Sequence, residues 1–309
     1  MKNLQNIPQF PDFMPISLRY KNFLHKKLWN YQPQASEYNF TNLFIWREYF
    51  KLKFSVLDKW LIILSDQKSN QPYCFQPIGP DNRTEVVHRI LSWLHNTYPM
   101  VKPIIKRADR RLVGEIKKDK NLKYKADRDY FDYIYQAQDL ISLKGQKYHS
   151  KRNHINQLYK NHKYEYKVID TNNINDCIRI EKHWCEQKSN LHTKQIQAEC
   201  RAIQKLLNSY NSLNIQGGII YVDGKPKAFA IGELLNKNMA VIHIEKADAT
   251  IQGLYQLINQ KFCEKNYKNI SFVNREQDLG LNGLRKAKKS YYPIFFEEKY
   301  IISRIDESL

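Results

Sequence analysis

The sequence predicts an α/β protein with mixed α+β sheets, built as two successive units of one design. Three observations carry this. At 309 residues the chain exceeds the roughly 100–150 residues of a common domain. Its apolar content of 42% and aromatic content of 13% supply a core and lie far from the composition of disordered chains. One order of elements (hairpin, strand, long helix, strand, short helix, strand) is legible twice. The repetition is of element order and not of residues, and it divides the chain into 1–140 and 141–309. No Pro-rich or Gly-rich linker marks the division, so a packed pair of units is expected.

In the first half, SLRYKNFLHKKLWNY places Leu18, Phe23, Leu24 and Leu28 near helical spacing, with Ser17 as candidate cap. FTNLFIWREYF follows as a second helix. KFSVL and WLIILS read as strands joined by a tight turn at Asp58 and Lys59, and YCFQPIG as the next strand. After the Gly79-Pro80 break, RTEVVHRILSWLHNTY sets Val86, Ile90, Leu91 and Leu94 on one helical face. The strand VKPIIKRA, the helix DRRLVGEIKKD and the strand YFDYIY complete the half.

The second half opens with GQKYHSKRNHINQLYKNH, a basic helix, then the strand YEYKVID and two helical stretches over 172–212. GGIIYVDGKPKAFAIGELL reads as a hairpin turned at Asp223-Gly224, and NMAVIHIEKA as a further strand. TIQGLYQLINQKFCEKN spaces Leu254, Leu257, Ile258 and Phe262 as a helix. NISFVNRE is a strand, GLRKAKKSYY a helix, and FFEEKYIIS the closing strand.

Lys and Arg number 50 against 31 Asp and Glu, a net charge of +19, which concentrates polyanions near the surface. Between Lys102 and Lys163, seventeen basic residues face seven acidic ones. The partners this predicts are nucleic acid or an anionic membrane face; a compositional bias toward Lys and Asn is the alternative. No apolar run nears the roughly 18–20 residues of a membrane span, and MKNLQNIPQF has no apolar signal core. The expected location is therefore the cytoplasm, or peripherally the inner membrane face. Cys74, Cys177, Cys185, Cys200 and Cys263 are odd in number and lack a CxxC pair, which predicts buried free thiols. His149 and His154 stand five apart and share no helix face, and His183, Cys185 and His192 lack a fourth partner, so no metal is expected.

The order strand, long helix, strand, helix, strand resembles the GNAT-type acyltransferase fold, and a tandem of two resembles the Fem-type aminoacyl transferases. KGQKYHSKRNHINQLYKNH and FVNREQDLGLNGLRKAKKSYYPIFFEEKY resemble a bacterial family related to the C-terminal catalytic domain of phosphatidylglycerol lysyltransferases, over roughly residues 15–303. The GLRxxKxxYxP string, here Gly283, Leu284, Arg285, Lys288, Tyr291 and Pro293, is similar to the end of that domain. Its closing aromatic and basic-Tyr pair is here Phe295, Lys299 and Tyr300, spaced about one residue longer. No counterpart of the family's multi-helix membrane half is expected here, and a Gly-Met-rich stretch of the family reads here as NREQDLGLNG. Fold transfers across such a gap better than substrate does.

The resemblance implies direct attack by an amine or hydroxyl on an activated acyl ester, with no covalent enzyme intermediate. Such a reaction needs positioning, a base for the nucleophile's proton, and donors for the oxyanion and leaving group. Three places qualify, all in the second half. In IHIEKA, His243 and Glu245 alternate with Ile242 and Ile244 and so share a strand face. That strand corresponds to the acyl-donor strand of GNAT-type enzymes. Glu245 is a candidate base or amino-group ligand, His243 a substrate ligand; the competing reading is a salt bridge from Glu245 to Lys246 or Arg275. In NREQDLG, Asn274, Arg275, Glu276, Gln277 and Asp278 crowd the exit of a strand, where ligands sit in α/β sheets. Glu276 is a catalytic candidate and Asn274 and Asp278 substrate ligands, with helix capping by Asp278 as the alternative. In GLRKAKKSYYP, Arg285 and Lys288 are candidate substrate ligands, Arg285 suited to phosphate, and Tyr291 a candidate proton donor to the leaving group; a solvated basic face is the plainer reading.

Coenzyme A needs a Gly-rich turn at the start of the long helix. That place reads ADATIQGLY, with only Gly253 and with Asp248 of the wrong charge, so coenzyme A is the weaker donor. Aminoacyl-tRNA is the favoured co-substrate, with no cofactor required. Its contacts are expected at Tyr148, Lys151, Arg152 and Asn153. The function so predicted is transfer of an aminoacyl group to an amine or hydroxyl acceptor such as an anionic lipid. The alternatives are an acyl-coenzyme A N-acyltransferase and a non-catalytic module binding an anionic ligand or RNA. The first half, whose equivalent strand KPIIKRAD is basic, is expected to be structural or tRNA-facing.

Overall fold

The computed structural model describes residues 6–67, 71–188 and 193–305. The first half forms β1 (Met14–Pro15), α1 (Lys21–Tyr31), α2 (Phe40–Phe50), β2 (Leu52–Leu57), β3 (Trp60–Ser65), β4 (Tyr73–Phe75), α3 (Thr84–Thr97), β5 (Ile105–Ala108), α4 (Arg110–Ile116), β6 (Leu122–Ala126), β7 (Asp132–Gln136) and α5 (Ala137–Ser142). The second forms α6 (His149–Asn161), β8 (Tyr164–Val168), α7 (Ile174–Lys188), α8 (Lys194–Asn208), β9 (Gln216–Val222), β10 (Lys225–Asn236), β11 (Met239–Ala247), α9 (Leu254–Asn266), β12 (Phe272–Asn274), α10 (Asn282–Lys289), β13 (Phe295–Glu297) and β14 (Tyr300–Arg304).

Two compact units result. Unit 1 comprises Met1–Asp132, Gln277–Leu281 and Phe296–Leu309; unit 2 comprises Tyr133–Glu276 and Asn282–Phe295. A single division near residue 140 does not reproduce these discontinuous segments. Each unit carries a seven-stranded mixed sheet, in the orders β1-β2-β3-β4-β5-β14-β6 and β13-β7-β12-β11-β10-β9-β8. Duplicated element order becomes duplicated topology: β4 runs parallel to β5 and β11 parallel to β12, each pair joined across the long helix α3 or α9.

The strands that finish the sheets correct the sequence reading. YFDYIY, placed in the first half, supplies β7, which pairs with β12 in the second sheet. FFEEKYIIS is two strands, of which β13 joins the second sheet while β14 pairs with β5 and β6 in the first. Local pattern identifies a strand but not its neighbours, because pairing partners are set by long-range burial. β6, absent from the sequence reading, is an edge strand carrying Lys123 and Lys125; its basic, mostly exposed residues lack the apolar alternation by which strands are recognised, as edge strands often do.

Elsewhere the local chemistry is legible. The face of α3 formed by Val86, Val87, Ile90, Leu91 and Leu94 is buried against Ile62, Leu64, Cys74 and Ile105, each such side chain contributing roughly 1.5–3 kcal/mol of burial. Asn39 caps α2 by accepting from the Asn42 N–H at 2.7 Å, whereas Ser17 makes no side-chain cap. Asp223 and Gly224 both take positive φ, 50° and 76°, as a primed hairpin turn between β9 and β10 requires. The expectation of free thiols fails at two cysteines: Cys185 on α7 and Cys200 on α8 form a disulfide, while Cys74, Cys177 and Cys263 are free and buried. Among the described residues no helix is long and apolar enough to cross a membrane.

Candidate active site

The parallel ladder between β11 and β12 runs from Met239↔Phe272 to Val241↔Asn274. Beyond it β11 continues through Ala247 while β12 ends at Asn274. Into this opening the sequence sends its polar residues. β11 brings in His243 and Glu245, its ladder with β10 breaking register between Ile242 and Ile244 so that His243 has no cross-strand partner and the simple alternation expected from the sequence is interrupted there. The turn after β12 supplies Arg275 and Glu276. Asn274, fully buried, shapes that turn: its Oδ1 accepts from the Glu276 N–H at 2.7 Å. Glu276 takes a positive φ of 56°, a conformation uncommon for a residue with a side chain and one that concentrates at ligand sites.

Two clusters form in unit 2. In the first, His243 lies between two carboxylates, with Nδ1 3.0 Å from Glu276 Oε1 and Nε2 3.1 Å from Glu233 Oε1. Its side chain is 1% exposed. Burial alone would lower the imidazole pKa, but the hydrogen bonds and charges of Glu233 and Glu276 outweigh it and raise the pKa to about 9. Both ring nitrogens therefore donate, and His243 is an imidazolium near neutral pH. Glu233, on β10, was not anticipated; a lone carboxylate inside the apolar run AIGELL is the signal that could have found it.

The second cluster joins Glu245, Arg275, Tyr291 and Lys151. Arg275 donates from Nη2 at 2.6 Å and from Nε at 3.0 Å, both to Glu245 Oε2. This realises the salt bridge weighed as the alternative for Glu245. Yet Glu245 Oε1 and Arg275 Nη1, both buried, have no hydrogen-bond partner. The guanidinium stands 4.6 Å from the Tyr291 ring centroid. Burial drives the Tyr291 phenol well above its ordinary pKa, against the pull of Arg275, so it holds its proton. Lys151 Nζ lies 3.8 Å from the same ring and donates to Ser290 Oγ at 2.8 Å. Burial, then the Arg275 charge, lowers its pKa to about 8, within reach of proton exchange at neutral pH.

The four residues expected to meet nucleic acid do not form one exposed patch. Tyr148 is fully buried and donates to the Tyr291 carbonyl at 2.8 Å; Lys151 is 7% exposed. Arg152 donates to the carbonyls of Leu143 and Gly145, and Asn153 contacts His149. The outer face of α6 instead presents Asn153, Asn156, Gln157, Tyr159 and Lys160 around a shallow groove of about 500 Å³. Asp278 belongs to unit 1, where it accepts from the Gly280 N–H at 2.9 Å and pairs with Arg128 at 3.5 Å. These contacts tie the turn ahead of α10. Lys288 donates to the Arg275 carbonyl, bracing the second cluster. Arg285, with Asn282, Lys286, Lys289, Ser290 and Tyr292, lines an open groove of about 490 Å³.

Unit 1 has its own buried charges. Lys299, fully buried, pairs with Glu37 at 2.5 Å and Asp132 at 2.6 Å, and Arg107 with Glu37 at 3.1 Å and Asp127 at 3.0 Å. Two cations alternate with three carboxylates, each cation bridging two of them, as suits a structural network.

Comparison with known proteins follows these lines. A family model described as phosphatidylglycerol lysyltransferase, C-terminal, matches residues 30–303. A conserved protein of unknown function from Bacteroides thetaiotaomicron is 30% identical, with a TM-score of 0.87 over 94% of this chain and 98% of that one. L-PGS from Bacillus licheniformis, 14% identical, gives a TM-score of 0.66 over 99% and 96%. A tandem GNAT protein from the clavulanic acid biosynthesis pathway, 6% identical, gives 0.52 over 96% and 99%. At these identities the last two show the fold alone, two tandem GNAT-like units. An uncharacterised protein of Mycoplasmoides gallisepticum is 28% identical over 180 residues, which are 56% of either chain; the match thus spans just over half of that relative.

Proposed function

The chain belongs to the family of phosphatidylglycerol lysyltransferase C-terminal domains, and on that premise we propose that it moves an aminoacyl group from aminoacyl-tRNA to an amine or hydroxyl acceptor such as an anionic lipid. Family and fold support acyl or aminoacyl transfer in general; donor and acceptor are our reading. The observation that carries it is the partly buried Glu245–Arg275 pair beside the opening of β11 and β12. Each partner keeps one hydrogen-bonding atom unspent, Oε1 and Nη1, an acceptor and a donor next to the phenol of Tyr291.

In this reading the acceptor's nitrogen or oxygen attacks the ester carbonyl carbon. Glu245 takes the nucleophile's proton, and Arg275 Nη1 donates to the oxygen as it gains charge. The ester C–O bond breaks, and Tyr291 gives its proton to the departing ribose oxygen. Glu276, whose side chain is 18% exposed, offers a carboxylate to the ammonium of the aminoacyl group.

The start of α9 supports tRNA over coenzyme A as donor. Asp248 is committed to Lys227 and Thr250, and a Cβ on Gly253 would stand 2.3 Å from the His154 carbonyl oxygen, so this glycine serves close packing on α6 instead of a phosphate cradle. An anionic acceptor is supported by α10, none of whose residues is buried. It carries Arg285, Lys286, Lys288 and Lys289, and beside them Leu284, Tyr292 and Ile294 are exposed, the mixture that settles on anionic bilayers.

The test follows labelled amino acid from a mixed, charged tRNA pool in the presence of anionic vesicles and a cell-wall precursor extract. Label should enter a lipid or peptide product, and Tyr291→Phe and Glu245→Gln should each slow entry by about 100-fold or more while leaving thermal unfolding cooperative. No transfer above spontaneous hydrolysis, together with micromolar binding of acyl-coenzyme A by calorimetry, sinks the proposal.

A further inference from the structure

Glu181 and Cys185 stand four residues apart on α7 and so share a face; α8 brings Cys200 against them, where it is bonded to Cys185. Glu181 is 4% exposed. Its Oε2 has no hydrogen-bond partner, and its Oε1 lies 3.2 Å from Cys185 Sγ. A sulfur already bonded to Cys200 carries no proton, so that contact gives the carboxyl no donor. The ammonium of Lys246 is engaged elsewhere, 2.8 Å from Glu199 Oε1 and 3.0 Å from the Trp184 ring centroid. A buried carboxyl without donors is costly, and a coordinated cation is one way of meeting that cost. One carboxylate oxygen and the two sulfurs lie within 4.8 Å of one another, a spacing that lets all three reach one ion at the roughly 2.0–2.3 Å ligand distances of zinc.

We propose that reduction of the Cys185–Cys200 disulfide opens a binding site for a thiophilic divalent cation of the zinc class, held by Glu181, Cys185 and Cys200. A thiol reductant supplies two electrons and two protons to the S–S bond and is itself oxidised to a disulfide. The cation then displaces one proton from each thiol, binds the two thiolates and the Glu181 carboxylate, and takes water as its fourth ligand. Disulfide and metal are thus alternative closures of the same helix pair. Thiolates are what such a cation prefers. Because this site lies on α7 and α8, away from Glu245 and Tyr291 in sequence and function, it stands whether or not the transfer reading does.

The experiment uses the full chain, reduced anaerobically, freed of reductant, and titrated with Co²⁺ and then Zn²⁺. The expected result is one equivalent of Co²⁺ with a near-ultraviolet thiolate-to-cobalt charge-transfer band, displaced by Zn²⁺ and missing from the oxidised protein. Cys185→Ser and Cys200→Ser should each abolish the band. Glu181→Gln, nearly isosteric and so expected to fold, should weaken affinity at least about tenfold, the loss that even an outer-sphere partner brings. The proposal is overturned by a reduced protein that shows no band, by a band unchanged in both Ser variants, or by Glu181→Gln binding as the wild type does. Circular dichroism of each variant separates lost binding from lost fold.

Discussion

His243 and Lys299 show how much depends on single buried charges. The imidazole pKa rises from 6.5 to about 9 on folding. A raised pKa contributes stability that is fully present below 6.5 and is lost as pH climbs through about 9. At about 1.36 kcal/mol per unit the contribution is on the order of 3 kcal/mol. Urea unfolding from pH 6 to 10 should therefore show the wild type weakening across that interval, and Glu276→Gln, with one carboxylate gone, should flatten the slope; an equal slope in both would remove Glu276 from the account. Lys299 touches Glu37 and Asp132 with no exposure at all. Lys299→Met leaves both carboxylates short of their cation, and the expected cost is about 3–5 kcal/mol, read from the urea midpoint at neutral pH. The family-like motif that drew attention to Lys299 thus marks a structural cation. Glu37 gave no such signal, unlike Glu233 inside its apolar run: within the polar stretch QASEYN nothing local tells a buried acid from a solvated one, because burial is decided by residues far away in sequence.

At the level of elements, helices and hairpins follow their local chemistry, and their roles follow their packing. The packing of α9 on α6 relies on Gly253, which has φ +87° and the His154 carbonyl oxygen where a Cβ would go. Gly253→Ala adds both a clash and a left-handed penalty; a loss of about 2–3 kcal/mol is expected in thermal or urea unfolding, and a neutral result would mean that the two helices do not pack this closely. The α10 surface yields a second expectation. Changing Lys286 and Lys289 together to Glu should weaken sedimentation with anionic vesicles by about tenfold or more, at roughly 1 kcal/mol per basic residue, and leave binding to neutral vesicles unchanged. Equal sedimentation of both proteins would exclude α10 as the membrane-facing element. Sequence periodicity found α6 and α10 alike but misjudged the start of α6, where Tyr148, just ahead of the helix, and Lys151, in its first turn, are buried against Tyr291 and Ser290. A basic helix read without its neighbours does not reveal which of its residues are solvated.

For the whole molecule, the sheet orders make the two halves interdependent. The first sheet takes β14 between β5 and β6, and the second takes β7 between β13 and β12. A fragment of residues 1–140 would contain β5 and β6 without the strand that hydrogen-bonds to both. It should be insoluble or molten, with no sharp near-ultraviolet circular dichroism and no cooperative unfolding, whereas the same fragment joined to residues 296–309 should regain a transition. A cooperatively folded 1–140 fragment would refute this.

The α/β class, the duplicated element order, the long helices with their buried faces, the hairpin turn at Asp223-Gly224, and the strand carrying His243 and Glu245 are all written in the residues. These follow from periodicity and turn chemistry, which act over a few residues. Which sheet β7 and β14 complete, that Cys185 meets Cys200, that Glu233 faces His243, and that Glu245 is held by Arg275 emerge from the folded chain alone. Each of these pairs elements distant in the chain, and the free energy that selects them comes from burying surfaces and charges together, a quantity no local pattern contains.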